Sequence, residues 1–231
     1  MRKFIYISFF MLFTGACSNE ESANNAELSA NQSTEASEES PDATPRKTIV
    51  FFGNSITAGY GLDPSEAFPA LIQKKMDSLD YLYQVVNAGL SGETTAAGAK
   101  RIDWILKRQA VDIFVLELGG NDGLRGLATA ETEKSLQEII DKVKKAYEQA
   151  LIVLTGIEVP PNMGEDYAGA FLQVFTKIAE VNQVAAFMPF ILEDVGGNPE
   201  LNQPDGIHPT AEGHQILAEN VWEVIEPLLK K

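Results

Sequence analysis

Five short apolar runs, each followed by a stretch long enough for a helix, decide what this chain can fold into. They span residues 48–52, 83–87, 113–118, 151–155 and 184–188. The first, Thr48-Ile49-Val50-Phe51-Phe52, ends at Gly53 and has the unbroken apolar character of a strand covered on both faces. Helix-like stretches lie at 68–79, 95–108, 132–149 and 166–181, and a last helix is expected from Thr210, which can cap it ahead of Glu212, toward Leu229. Strands alternating with helices of this length predict a parallel sheet, and right-handed crossovers then give a three-layer α/β/α sandwich with five strands. Periodicity does not give the strand order. In a flavodoxin-like order, 2-1-3-4-5, the first strand would lie between the second and third.

The amino-terminal 46 residues stand apart from this pattern. A basic head, Met1-Arg2-Lys3, precedes the apolar run Phe4 to Phe13 and then Thr14-Gly15-Ala16-Cys17. This reads as a secretory signal, too short to span a bilayer. The cysteine after Gly-Ala resembles a bacterial lipoprotein cleavage box, with Thr14 where that box usually carries leucine. Residues 1–16 are therefore expected to be removed and Cys17 to be lipid-modified, placing the protein outside the cytoplasm on a bacterial membrane. Ordinary signal cleavage, leaving a free cysteine, is the alternative. Cys17 is the single cysteine of the chain, which rules out an intrachain disulfide and a cysteine-clustered metal site. Residues 17–46 are rich in Ser, Asn, Ala and Glu; too little apolar surface is available there to offset ordering entropy, so a disordered linker is expected. As a flexible coil it would span roughly 30 Å, enough to hold a domain clear of a membrane surface. Residues 47–231 have the size of one domain with a substantial core. A formal charge of −15, from 33 acidic against 18 basic residues, argues against a nucleic-acid partner.

Four separated segments carry polar groups suited to acyl transfer: Gly53-Asn54-Ser55, Asn87-Ala88-Gly89, Gly119-Gly120-Asn121-Asp122 and Asp205-Gly206-Ile207-His208. The first three each follow a strand candidate, and ligands of open parallel sheets bind outside the carboxyl ends of the strands. Such chemistry needs a nucleophile, a base, a group to orient that base, and donors for the oxyanion. Singly, each segment is an ordinary turn or helix cap. Together they are more informative, because the chain has only two histidines. His208 lies in a loop with Asp205 three residues ahead, whereas His214 falls inside the final helix and fits a structural role. Glu117, Asp112 and Asp122 fit satisfied structural, turn or cap carboxylates. No G-x-S-x-G elbow, P-loop or complete G-x-G-x-x-G fingerprint is present, and no ligand spacing suggests a metal, so no cofactor is expected.

The same segments resemble the blocks of the SGNH (GDSL-type) hydrolases, closest to the bacterial thioesterase I, lysophospholipase and arylesterase group. Gly53 to Gly61 is similar to the nucleophile block, Asn87 to Thr94 to the glycine block, Leu116 to Gly126 to the asparagine block, and Asp205 to Pro209 to the Asp/His block. The resemblance covers residues 47–229 and implies a fold of flavodoxin-like (SGNH) type. It implies Ser55 as nucleophile, His208 as base and then acid, and Asp205 as its orienting group. The oxyanion donors would be the Ser55 and Gly89 N–H groups and the Asn121 side chain. Leu124, Arg125 and the loop Val159-Pro160-Pro161-Asn162-Met163 are candidates to line the acyl pocket. Asn54 stands where the family carries aspartate; none of these roles falls on it, so the chemistry is expected to survive the exchange. The implied activity is hydrolysis of aryl or short acyl esters, thioesters or lysophospholipids. A cell-surface carbohydrate O-deacetylase of the same family is one alternative, and a non-catalytic ligand-binding lipoprotein is another.

Overall fold

A computed structural model describes residues 45–231; the expected signal segment 1–16, Cys17 and the linker up to residue 44 lie outside the described residues. The chain runs β1 (Lys47–Gly53), α1 (Ser55–Ala58), α2 (Phe68–Ser78), β2 (Tyr83–Gly89), α3 (Thr95–Leu106), β3 (Ile113–Glu117) and α4 (Gly120–Leu124). It continues through α5 (Thr129–Ala146), β4 (Leu151–Thr155), α6 (Glu165–Asn182), β5 (Ala186–Met188) and α7 (Ala211–Ile225). All strand pairs are parallel and the order is β2-β1-β3-β4-β5, the flavodoxin-like arrangement.

The apolar runs are explained by burial on both faces. Ile49, Val50, Phe51 and Phe52 of β1 are each 0 % exposed. Phe51 turns toward α2, where it meets Phe68 edge-on at 5.4 Å, and Phe52 turns the other way, its ring under the Arg101 guanidinium of α3 at 4.1 Å. Removing each such ring from water is worth roughly 1.5–3 kcal/mol. Helices α2 and α7 pack on each other, and α5 packs against both α3 and α6. The Thr210 hydroxyl accepts from Gly213 N–H at 3.2 Å and caps α7 as expected.

His214 is buried between α2 and α7, where its Nδ1 accepts the Phe68 N–H at 3.1 Å. That bond needs the neutral ring. Burial, aided by the positive charge that His208 can carry, pushes the imidazole down from 6.5 to about 4. Between these values the unfolded chain binds the proton and the folded one does not, so stability falls as pH drops from 6.5 toward 4. A His214→Gln variant should therefore show a flatter dependence of Tm on pH across that window. The wild-type contribution lost there is about 3 kcal/mol; equal slopes for the two proteins would contradict the assignment.

Candidate active site

Strand register collects the site. Gly53 of β1 sits level with Gly89 of β2 on one side and with Glu117 of β3 on the other. Because β1 leads to β2 on one flank and β3 lies on the other, the carboxyl end of β1 opens at the point where the winding reverses. Ser55, two residues beyond Gly53, begins the one-turn helix α1 there. Its N–H belongs to the first turn of the helix and has no helical carbonyl to bond.

Ser55 Oγ lies 2.8 Å from His208 Nε2, and His208 Nδ1 lies 2.6 Å from Asp205 Oδ2. These groups are 153 positions apart in sequence at the hydroxyl–imidazole contact. The Asp205 carboxylate also accepts the N–H groups of Ile207 at 2.9 Å and His208 at 3.0 Å through Oδ1. The His208 ring, followed by its backbone N–H and that of Ile207, holds Asp205 down at about 2 from its ordinary 3.8. The loop is tied back on itself: Gln203 N–H donates to His208 carbonyl at 2.7 Å, and Gln203 Nε2 donates to the carbonyls of Tyr60 and Pro209 at 2.7 and 2.9 Å. The Tyr60 ring lies 4.6 Å from the imidazole and covers it.

Asn121 in α4 donates one amide hydrogen to the Glu93 carbonyl at 3.0 Å, which leaves the second hydrogen of the same nitrogen for another acceptor. The Glu93 turn is braced by Arg101, whose Nε donates to Glu93 at 2.6 Å, and by Arg125, whose Nη2 donates to the Gly92 carbonyl at 3.0 Å. Gly89 N–H is engaged by Asn87 Oδ1 at 3.0 Å in this structure. A side chain at Gly89 would press on the α1 backbone, with a Cβ only 2.8 Å from Ala58 Cα, so the glycine lets β2 end against α1. Asp122 accepts from Thr95 N–H and hydroxyl at 2.9 and 2.6 Å, and Asp112 accepts from Thr48 N–H at 2.7 Å; both are satisfied structural carboxylates.

Beside Ser55 opens a cleft of about 400 Å³ with Ile56 and Gly120 in its lining. Leu124 and Pro160 line it, as the sequence suggested, whereas Arg125, Asn162 and Met163 lie outside the lining. Arg125 turns instead to Gly92, and Asn162 is exposed on the 3₁₀ turn Pro161–Met163. Ile157, Val159, Phe190, Leu192 and Ile207 complete the apolar walls. Val159 belongs to the loop the sequence suggested, whereas sequence reasoning missed the other four; the only signal available for them was the adjacency of Ile207 to His208.

A hydroxyl, an imidazole and a carboxylate in hydrogen-bonded line, at the switch point of a doubly wound sheet and without a G-x-S-x-G elbow, is the arrangement of a particular class of serine hydrolase. Residues 51–216 match the GDSL-like Lipase/Acylhydrolase family, and the chain belongs to that family. It is 42 % identical over 183 residues to the esterase TesA of Pseudomonas aeruginosa, covering 79 % of this chain and 90 % of the relative. It is 36 % identical over 187 residues to thioesterase 1/protease 1/lysophospholipase L1 of Escherichia coli K12, covering 81 % and 87 %. The fold also superposes on the psychrotrophic esterase EstA from Pseudoalteromonas sp., inhibited there by monoethylphosphonate, with a TM-score of 0.74 and 31 % identity over 79 % of this chain and 98 % of that one. The chain is thus a GDSL-type hydrolase with esterase and thioesterase relatives.

Proposed function

We propose that the protein is a serine esterase that hydrolyses aryl and short acyl esters, thioesters and lysophospholipids through an acyl-enzyme on Ser55. The observation that carries this reading is the line Asp205–His208–Ser55, with separations of 2.6 and 2.8 Å. His208 takes the Ser55 proton on Nε2 as Oγ attacks the acyl carbonyl carbon. The resulting oxyanion meets Ser55 N–H and the free Asn121 hydrogen; Gly89 N–H joins when the substrate oxygen displaces Asn87 Oδ1. His208 then gives its proton to the departing alkoxide or thiolate, and water repeats the sequence to release the acid. Loss of one oxyanion donor typically costs about 2.7–4 kcal/mol of transition-state stabilisation, so Asn121 is a substantial part of the design.

The apolar cleft beside Ser55 suits an acyl chain, and its modest volume favours short ones. The basic head, the apolar run and the small residues ahead of Cys17 support a lipid-anchored, extracytoplasmic enzyme, which points away from cytosolic acyl-CoA as the natural substrate. Neither Trp104 nor Trp222 lines the cleft, so neither tryptophan supports the deacetylase reading. The test is chemical. A fluorophosphonate probe should add to the wild-type protein once per chain, with the adduct on Ser55, and p-nitrophenyl acetate should give a burst equal to the labelled fraction. Labelling elsewhere, with activity intact, would sink the reading.

A further inference from the structure

Glu117 ends β3 beside the nucleophile turn, is only 2 % exposed, and has no part in the steps above. Its Oε2 accepts from Asn54 N–H at 3.2 Å, Thr57 N–H at 3.3 Å and the Thr57 hydroxyl at 2.7 Å. Its Oε1 accepts from Asn54 Nδ2 at 2.8 Å. Asn54 N–H, Thr57 N–H and Asn54 Nδ2 can only donate, so the network fits an ionised carboxylate, with the Thr57 hydroxyl alone able to accept a carboxyl proton. Burial opposes this and pushes the group up to about 7, against the pull of the Thr57 and Asn54 bonds. Asn54 and Thr57 bracket Ser55, one residue before it and two after. A single side chain from the neighbouring strand therefore fixes the backbone on both sides of the nucleophile. Gly53 makes the approach possible: a Cβ there would stand 2.5 Å from Glu117 Oε2.

We propose that Glu117 is a positioning residue for Ser55, and that Asn54 is the matched amide that lets the carboxylate occupy this place. Asn54 cannot turn its amide over, because Oδ1 accepts the Ile56 N–H at 2.9 Å and lies 3.4 Å from Ser55 Oγ. Its Nδ2 is thereby committed to Glu117. The proposal thus gives a role to the residue at which this chain departs from the family's aspartate, one that goes beyond the expectation that the chemistry survives the exchange. An ionised aspartate has no hydrogen to give, and would set one carboxylate against another unless a proton were held between them. The inference rests on Ser55 being the nucleophile.

Glu117→Gln keeps the shape and replaces one oxygen by NH₂. Three donors converge on the Oε2 site, so the glutamine must keep its oxygen there and set its NH₂ against Asn54 Nδ2, donor to donor. The expected result is a fall in kcat of about 10- to 100-fold, the scale of a nucleophile displaced by a fraction of an ångström, with KM nearly unchanged. Asn54→Asp combined with Glu117→Gln reverses the polarity of the pair: the glutamine NH₂ now donates to the carboxylate introduced at position 54, which still accepts from Ile56. This double variant should recover most of the lost kcat. Rates are taken per active site titrated with fluorophosphonate, so unfolded protein does not count. A kcat per site equal to wild type in Glu117→Gln, whatever its Tm, or a double variant as slow as the single one, overturns the proposal. If Glu117→Gln does not fold, Thr57→Val carries the test. It deletes only the 2.7 Å bond and should lower kcat about tenfold; an unchanged kcat would again overturn it. A wild-type protein that takes no label on Ser55 would instead overturn the proposed function.

Discussion

Ser55→Ala should fold normally and hydrolyse p-nitrophenyl acetate about 10⁴- to 10⁶-fold more slowly than the wild type. The loss should be this large because nothing nearby can stand in for the hydroxyl. Thr57 is the neighbouring hydroxyl on α1, and its hydrogen is committed to Glu117. His208 would face a methyl group, leaving only water to be activated at a distance set for a bonded oxygen. What remains is binding and the oxyanion donors. The check is steady-state turnover together with loss of the fluorophosphonate adduct, on protein whose circular dichroism and Tm match the wild type. Turnover within tenfold of wild type would end the assignment.

Asp205→Asn should cost about 10⁴-fold in kcat while leaving the fold in place. Two N–H groups, from Ile207 and His208, require an acceptor at the Oδ1 position. The asparagine must keep its oxygen there, which puts its NH₂ where Oδ2 meets the imidazole. The ring then accepts at Nδ1 and carries its proton on Nε2, facing Ser55. In that tautomer it cannot take the serine proton, although every heavy atom stays close to its original place. Asp205 itself is ionised across the working range, since it is held at about 2. Measured kcat, with unchanged Ser55–His208 geometry in a crystal structure of the variant, is the test; a loss of less than tenfold would show that the carboxylate is dispensable.

The large features of this molecule were legible because they follow from repeated local physics. Three strands, β1, β3 and β4, are buried on both faces and give unbroken apolar runs, while β2 lies at the sheet edge and is half-buried. Strand β5 is shorter than expected, Ala186–Met188 instead of 184–188, because the Val184 N–H is still tied to the Ala179 carbonyl at the end of α6. Helix α5 begins at Thr129 rather than Thr132, its first turn being polar, and stops at Ala146 where Tyr147 becomes extended, φ −139°. The single-turn helices α1 and α4 were not foreseen, since one turn is too short to display a 3.6-residue period. At the site, the groups that the structure brings together, Ser55, His208 and Asp205, could be named because few residue types can serve and the resemblance pointed to their positions. Most of the cleft walls could not: Phe190 and Leu192 are ordinary apolar residues until loops from β4 and β5 are brought together. The same holds for the Glu117 network, whose partners are 60 and 63 positions away.

The rim of the sheet divides its labour. In the proposed reaction, bond breaking depends on the ends of β1, β2 and β3 and on one short loop before α7, while most of the lining of the cleft comes from segments after β4 and β5. Exchanging those distal segments would retune chain-length preference with the reacting atoms left alone, making this scaffold a convenient starting point for grafting new selectivity.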